Sequence, residues 1–316
     1  MSSGIGLVFP GQGSQSVGMG KALFEASPEI RTVYEEAGAV LGYDIAALCF
    51  SGPAERLNLT EYTQPALLVS SMAAYRLLEP AGHQPIAVAG HSLGEYSALV
   101  AAGGIEFGAA VSLVKKRGQY MAEAVPAGAG LVVAVLGLSA EVVQEVCAEA
   151  ASVGVVAPAN FNSPGQIVIA GDKAAVERAM ELAKGRGCRK AIPLPVSVPV
   201  HTPLMQMAAD RLAAVVAVTT WSDLRVPLVN NAEAKAIRKA EEVQGSLIRQ
   251  LPSPVRWEES VRAMHAMGVT TFVEVGPGSV LTGLIKRIVP DCVTLNVKDP
   301  ASLEATLKTL HVKHDS

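Results

Sequence analysis

Ile86-Ala87-Val88-Ala89-Gly90-His91-Ser92-Leu93-Gly94-Glu95, continued by the apolar run Tyr96 to Ala102, decides the fold. A short β-prone run, a sharp turn and a stretch of good helix formers spell strand, turn, helix, with Ser92 at the corner. Gly90 and Gly94 bracket the serine as G-x-S-x-G. Such a turn strains its central residue and crowds the flanking ones, which favours small residues there. It lifts the serine Oγ above the sheet, beside helix N–H groups that can stabilise an oxyanion. The same five residues also occur in turns that merely contain a serine, so the rest of the chain has to decide.

Working outward, Ile5 to Phe9 reads as a buried strand ending in the glycine loop Pro10-Gly11-Gln12-Gly13-Ser14-Gln15. It lacks the phosphate-loop Gly-Lys-Ser/Thr ending, and Ser16 stands where a dinucleotide loop needs its third glycine. Ser27-Pro28-Glu29 starts a helix through Ala39, and Thr63-Gln64-Pro65 opens one reaching Leu78. A helix over 108–125 carries Lys115, Lys116 and Arg117. Pro126 to Gly130 has hinge composition. Then come a strand (131–136), a helix capped by Ser139, a strand (153–157) and a turn at Asn162-Ser163-Pro164-Gly165. A strand (166–170), a helix capped by Asp172 and a last strand (189–194) follow. That β-α-β-β-α-β order is the ferredoxin-like motif. After Pro199 the helix–strand alternation resumes to the end. The expected architecture is α/β: an α/β-hydrolase-like large subdomain, 1–126 and 199–316, with a mainly parallel sheet, and an inserted ferredoxin-like small subdomain, 127–198.

Composition narrows the function. Of 316 residues, 50% are hydrophobic and 17% charged, enough for a large core. A net charge of −3 and 4% aromatics argue against nucleic-acid binding. Cys49, Cys147, Cys188 and Cys292 have neither metal-site nor disulfide spacing. The N-terminus has no basic leader, and no apolar run reads as a spanning helix. The expectation is a cytoplasmic protein that uses no metal.

Serine is a weak nucleophile without a base. Of six histidines, His83 is in a loop, His311 and His314 in the tail, and His265 on a helix where a structural role suits it. His91 adjoins Ser92 but points elsewhere, and His201 sits in a proline-framed loop just after the insertion. The residues alone leave the base open, with His201 a candidate.

Ordered motifs span nearly the whole chain: Phe9 to Gln15, Thr63-Gln64-Pro65-Ala66, Gly90 to Glu95, Arg117-Gly118 with Met121, and Asn160-Phe161-Asn162-Ser163. They continue with His201 before Leu204-Met205, Arg249-Gln250-Leu251, and Glu274 to Gly278. On them the chain resembles the malonyl-CoA:acyl carrier protein transacylases of bacterial fatty-acid synthesis. The resemblance implies Ser92 as nucleophile and His201 as its base, oriented by the backbone carbonyl of Gln250 rather than by an acid. It implies an oxyanion hole from the N–H groups of Gln12 and Leu93. It implies Arg117 as a two-pronged partner for the malonyl carboxylate, with Gln64, Met121, Asn162 and Val200 around the acyl group. By spacing alone, Arg117 reads as part of a solvated Lys-Lys-Arg face. Relatives often carry a small or aromatic residue where Val200 stands, and the β-branched side chain favours malonyl over methylmalonyl.

Lys184, Arg186, Arg189 and Lys190 form a basic cluster that fits docking of an acidic carrier protein, or an ordinary helix end. The expected partners are malonyl-CoA and acyl carrier protein, with no cofactor, nucleic acid or membrane, in a monomer. Rival readings are a polyketide-synthase acyltransferase, a serine hydrolase or thioesterase, and a silent carrier-binding scaffold.

Overall fold

The computed structural model describes residues 4–126, 128–196 and 198–312. Ala127 in the hinge and His314 in the tail lie outside the described residues, as does the side chain of His311.

Strand β1 (Gly4–Phe9) leads into α1 (Lys21–Ala26), α2 (Pro28–Leu41), α3 (Ile45–Ser51), α4 (Ala54–Leu57) and α5 (Thr60–Leu78). The serine unit follows as β2 (Ala87–Gly90) and α6 (Gly94–Ala101), then α7 (Phe107–Glu123). Next come β3 (Gly130–Leu136), α8 (Ala140–Ala150), β4 (Val156–Ser163), β5 (Gln166–Asp172), α9 (Lys173–Gly185) and β6 (Lys190–Pro193). The chain returns through α10 (Gln206–Val218), β7 (Leu228–Val229), β8 (Ala236–Ile237), α11 (Ala240–Gln250) and α12 (Trp257–Ala266). It ends with β9 (Val269–Val275), α13 (Val280–Ile288), β10 (Val293–Val297) and α14 (Pro300–Val312).

Among the described residues the strands form two sheets. One has six strands in the order β10-β9-β1-β2-β7-β8, parallel except for the β7–β8 pair. Its central strands are buried on both faces, which is why they read as continuous apolar runs. Ile5, Leu7 and Phe9 of β1 point into one core with α5 and α6, while Val8 points into the other with Trp257 and Leu284. The second sheet is antiparallel, in the order β4-β5-β3-β6, which is the ferredoxin-like arrangement. Helices α8 and α9 cover one of its faces through Val143, Val146, Val176 and Ala179. A bridge between Asn160 and Val255 joins this sheet to the segment before α12.

Several sequence expectations shift. The strand expected at 153–157 begins at Val156 and runs through Asn162 and Ser163, so the turn is only Pro164-Gly165. Pro158 hid the strand; the ladder is irregular just after it, where a missing N–H does least harm. Helix α5 starts at Thr60, so Pro65 lies inside it rather than opening it. Ser27 makes no side-chain cap, and the Asp172 carboxylate reaches the Val155 N–H at 2.7 Å instead of capping α9. Ser139 does cap α8, accepting from the Val142 N–H. No described helix is long and apolar enough to cross a membrane. The four cysteines are free thiols, and His265 Nδ1 is bonded to the Val269 carbonyl, a structural role.

Candidate active site

Because β1 and β2 pair in parallel, with Phe9 beside Gly90, the loops that leave them emerge side by side at the carboxyl edge of the sheet. Ser92 tops the β2 loop with φ of +52°, a left-handed conformation unusual for a residue with a side chain. The glycines around it are required by close approach. A Cβ on Gly90 would stand 1.8 Å from the Gly94 carbonyl carbon, and one on Gly94 would stand 2.0 Å from the Phe9 oxygen. Gly11 is pinned likewise, 2.2 Å from the His91 oxygen, which holds the Pro10–Gln15 loop against the elbow.

Ser92 Oγ lies 2.7 Å from His201 Nε2, and His201 Nδ1 lies 2.9 Å from the carbonyl oxygen of Gln250. Gln250 closes α11, where the last carbonyls have no partner within the helix, so one is available. A carbonyl only accepts, so Nδ1 carries the proton and Nε2 is the acceptor facing the serine. Arg117 Nη2 donates to Ser92 Oγ at 3.2 Å, which leaves the serine proton directed at Nε2. Burial, then the charge of Arg117, pulls His201 down to about 3, so the imidazole is neutral and able to accept a proton. His201 is 2% exposed, and its backbone has φ of +61°.

Arg117 is 1% exposed and makes no ion pair among the described residues. Nη1 donates to Gln64 Oε1 at 2.8 Å and Nη2 to Gln250 Oε1 at 2.9 Å, and the guanidinium carbon lies 5.3 Å from the Tyr96 ring centre. The solvated basic face expected from spacing is therefore not where Arg117 goes. It enters the core while its neighbour Lys115 reaches out to the Leu41 carbonyl. A buried cation held by neutral carboxamides and open beside Ser92 has the chemistry to pair with an incoming carboxylate.

A cavity of about 90 Å³ opens at Ser92, walled by Leu93, Met121 and Val200 from one sheet's side and Val132, Val168 and Leu194 from the other's. Gln12 also lines it, and neither its N–H nor that of Leu93 has an acceptor among the described residues. Gln64 and Asn162 stand one layer back. Gln64 holds Arg117 and the Met121 sulfur, and Asn162 holds His91 Nε2 at 2.8 Å. Asn160 lines the cavity instead. Of the basic cluster, Arg186 is engaged by Glu145 and Glu149, so it adds little net charge. Lys190 pairs with Leu136, four residues along β3 from Val132, about 13 Å from the cavity wall.

Two residues escaped the sequence reading. Asn231, at the end of β7, accepts the Ser92 N–H on Oδ1 at 2.7 Å and donates Nδ2 to the Gly90 carbonyl at 2.8 Å. Glu95 is fully buried, and its Oε2 accepts the Asn231 N–H at 2.8 Å. An acid opening the otherwise apolar run 96–102 was the available signal.

A parallel α/β sheet with a strained serine at its carboxyl edge, a histidine against it and a guanidinium beside it defines the class, an acyltransferase. A family model described as "Acyl transferase domain" matches residues 7–312. Within that family the chain belongs with the malonyl CoA-acyl carrier protein transacylases. It is 50% identical over 302 residues to the protein of that name in Escherichia coli K12, covering 95% of this chain and 98% of the relative. The crystal structure of an acyl carrier protein S-malonyltransferase from Vibrio cholerae matches with a TM-score of 0.94 at 51% identity, over 96% of this chain and 100% of that one. A complex described as a type II PKS acyl-carrier protein with its malonyl-transacylase matches at 0.95 and 48% identity, over 97% and 100%.

Proposed function

We propose that this chain moves the malonyl group from malonyl-CoA to the phosphopantetheine thiol of acyl carrier protein through a malonyl ester on Ser92, serving type II fatty-acid synthesis. His201 Nε2 takes the Ser92 proton as Oγ attacks the thioester carbonyl. The N–H groups of Gln12 and Leu93 receive the oxyanion; one such donor contributes about 2.7–4 kcal/mol to the transition state. Collapse expels the CoA thiolate, which takes the proton back from His201. The carrier thiol then repeats the steps in reverse. Exchange of an acyl group between thiols is redox-neutral and needs no cofactor. Gln250 acts as a positioning residue, its carbonyl fixing the His201 tautomer without an acid.

The observation that carries the reading is Arg117: a buried guanidinium with no carboxylate in ion-pair contact among the described residues, 3.2 Å from the Ser92 hydroxyl. A hydrolase of simple acyl esters has no use for it. Met121 and Val200 bound the acyl pocket, and Gln64 and Asn162 support it from behind. In this reading 127–198 is an inserted subdomain, and the acyl cavity lies between it and the 1–126 and 199–316 unit. The carrier protein approaches over Lys184, Arg189 and Lys190, with Arg186 serving the fold, and the enzyme works as a cytoplasmic monomer. The test is a single-pot reaction with malonyl-CoA and loaded carrier protein. Malonyl-carrier is the expected product; malonate formed at the same rate with and without carrier would make the chain a hydrolase. Running fatty-acid and polyketide carrier proteins side by side separates the two pathways, and faster loading of the polyketide carrier would overturn the fatty-acid assignment.

A further inference from the structure

Arg117 and Glu95 are both fully buried, and neither makes an ion pair among the described residues. Two residues connect them, Gln250 through its carboxamide and Asn231 through its side chain and its backbone N–H. Arg117 Nη2 donates to Gln250 Oε1 at 2.9 Å, Gln250 Nε2 faces Asn231 Oδ1 at 3.5 Å, and the Asn231 N–H donates to Glu95 Oε2 at 2.8 Å. The same Asn231 and Gln250 hold the backbone N–H and C=O of Ser92, so this path runs through the nucleophile's own peptide groups. We propose that Glu95 is the counter-charge to Arg117, coupled to it through Asn231 and Gln250, and that it takes up a proton from solvent when a substrate carboxylate pairs with the guanidinium. Glu95 is then a specificity-determining residue that touches no substrate. The inference rests on the malonyl-transfer reading above.

The physical reason is charge balance in a dry site. One buried cation and one buried anion are tolerable when hydrogen-bonded amides lie between them. A substrate carboxylate adds a second anion, and one anion has to be neutralised. The substrate's has the guanidinium fork. Glu95 has the Asn231 N–H at 2.8 Å on Oε2, with the Gln250 carboxamide near it, and its Oε1 has no hydrogen-bond partner among the described residues. Glu95 is therefore the group that protonates. Its proton affinity suits the exchange: burial raises it to about 7, against the opposing pull of Asn231, Gln250 and Arg117. The ionisable groups around it are Arg117 on α7, Tyr96 beside it on α6, and Glu233 after β7, itself paired with Arg249 at 2.6 Å. Burial lowers the proton affinity of His201 and His91, the histidines of the site. An acetyl group brings no charge and leaves the Arg117–Glu95 pair as it was. Selectivity for the charged acyl group therefore falls as pH rises through the range where Glu95 ionises.

The experiment mixes the wild-type enzyme with stoichiometric malonyl-CoA in weak buffer at about pH 7, following protons with an indicator and ester formation by intact mass. Protons are taken up as the malonyl ester forms, at most one per ester, because the ionised fraction of Glu95 becomes protonated. Glu95→Gln takes up none. In the wild type alone, the malonyl-to-acetyl ratio of acylation rates falls by up to about tenfold from acid to alkaline pH, the factor a one-unit coupling carries. Full ester formation with no proton uptake overturns the inference and leaves malonyl transfer standing, as does a pH-independent ratio. Absence of any ester overturns both.

Discussion

Replacing Arg117 by alanine separates recognition of the acyl group from the chemistry. The guanidinium makes three hydrogen bonds that vanish: to Gln64 Oε1 at 2.8 Å, Gln250 Oε1 at 2.9 Å and Ser92 Oγ at 3.2 Å. Each buried amide oxygen left without a donor costs about 1–3 kcal/mol, so the variant loses about 2–6 kcal/mol of stability. For a malonyl substrate, two charge-assisted bonds of about 1.5–3 kcal/mol each are lost as well. That is about 3–6 kcal/mol, or roughly a hundred-fold to ten-thousand-fold in kcat/KM. An acetyl substrate never had those bonds, and in the variant its methyl group no longer faces a buried cation. The assay is single-turnover acylation of Ser92 by malonyl-CoA and acetyl-CoA, read by intact mass, with Tm measured in parallel so that unfolded protein is not counted. Malonyl acylation is expected to collapse while acetyl acylation holds or rises. Equal loss with both substrates in a folded variant would refute the role given to Arg117.

Further outcomes follow from the same geometry. Because burial and Arg117 hold His201 down to about 3, the acid limb of kcat/KM lies well below an ordinary histidine's, and Arg117→Ala moves it upward; a limb near 6.5 in the wild type would contradict this. Val200→Ala widens the cavity beside the acyl group, so methylmalonyl-CoA gains on malonyl-CoA by about ten-fold or more, the value of one or two methyl groups in a pocket, in competition assays. Gly90→Ala has no space and costs more than about 4 kcal/mol, whereas Gly283→Ala, on an exposed helix face with nothing within 4 Å, stabilises by about 0.4–1 kcal/mol; thermal unfolding distinguishes them.

What the sequence made legible was what local chemistry determines. The elbow could be read because strand, glycine spacing and helix formers are all encoded within residues 86–102. The split small sheet was legible from the order of its elements, although Pro158 concealed half of β4. Helix α3 was overlooked despite its cap, the Asp44 carboxylate on the Ala47 N–H, because a seven-residue helix carries little periodicity. The partners of Ser92 were harder, because they arrive from far along the chain. Nothing in the spacing of residues 92, 201 and 250 announces that they meet. Asn231 was invisible for the same reason. Arg117 looked solvated because it continues a Lys-Lys-Arg run; only the fold decides which residue of a basic triplet turns inward. Resemblance to a family pointed to His201, Gln250 and Arg117 where local rules had nothing to offer, and it left Asn231 unnoticed.

The most direct test of the account is the mass of the protein after mixing with malonyl-CoA alone. The account predicts one malonyl group, mapped to Ser92, absent in Ser92→Ala, slowed in His201→Ala, and removed by loaded carrier protein with malonyl-carrier as the product. An unmodified enzyme that nonetheless loads the carrier, or an adduct that persists in Ser92→Ala, would contradict it.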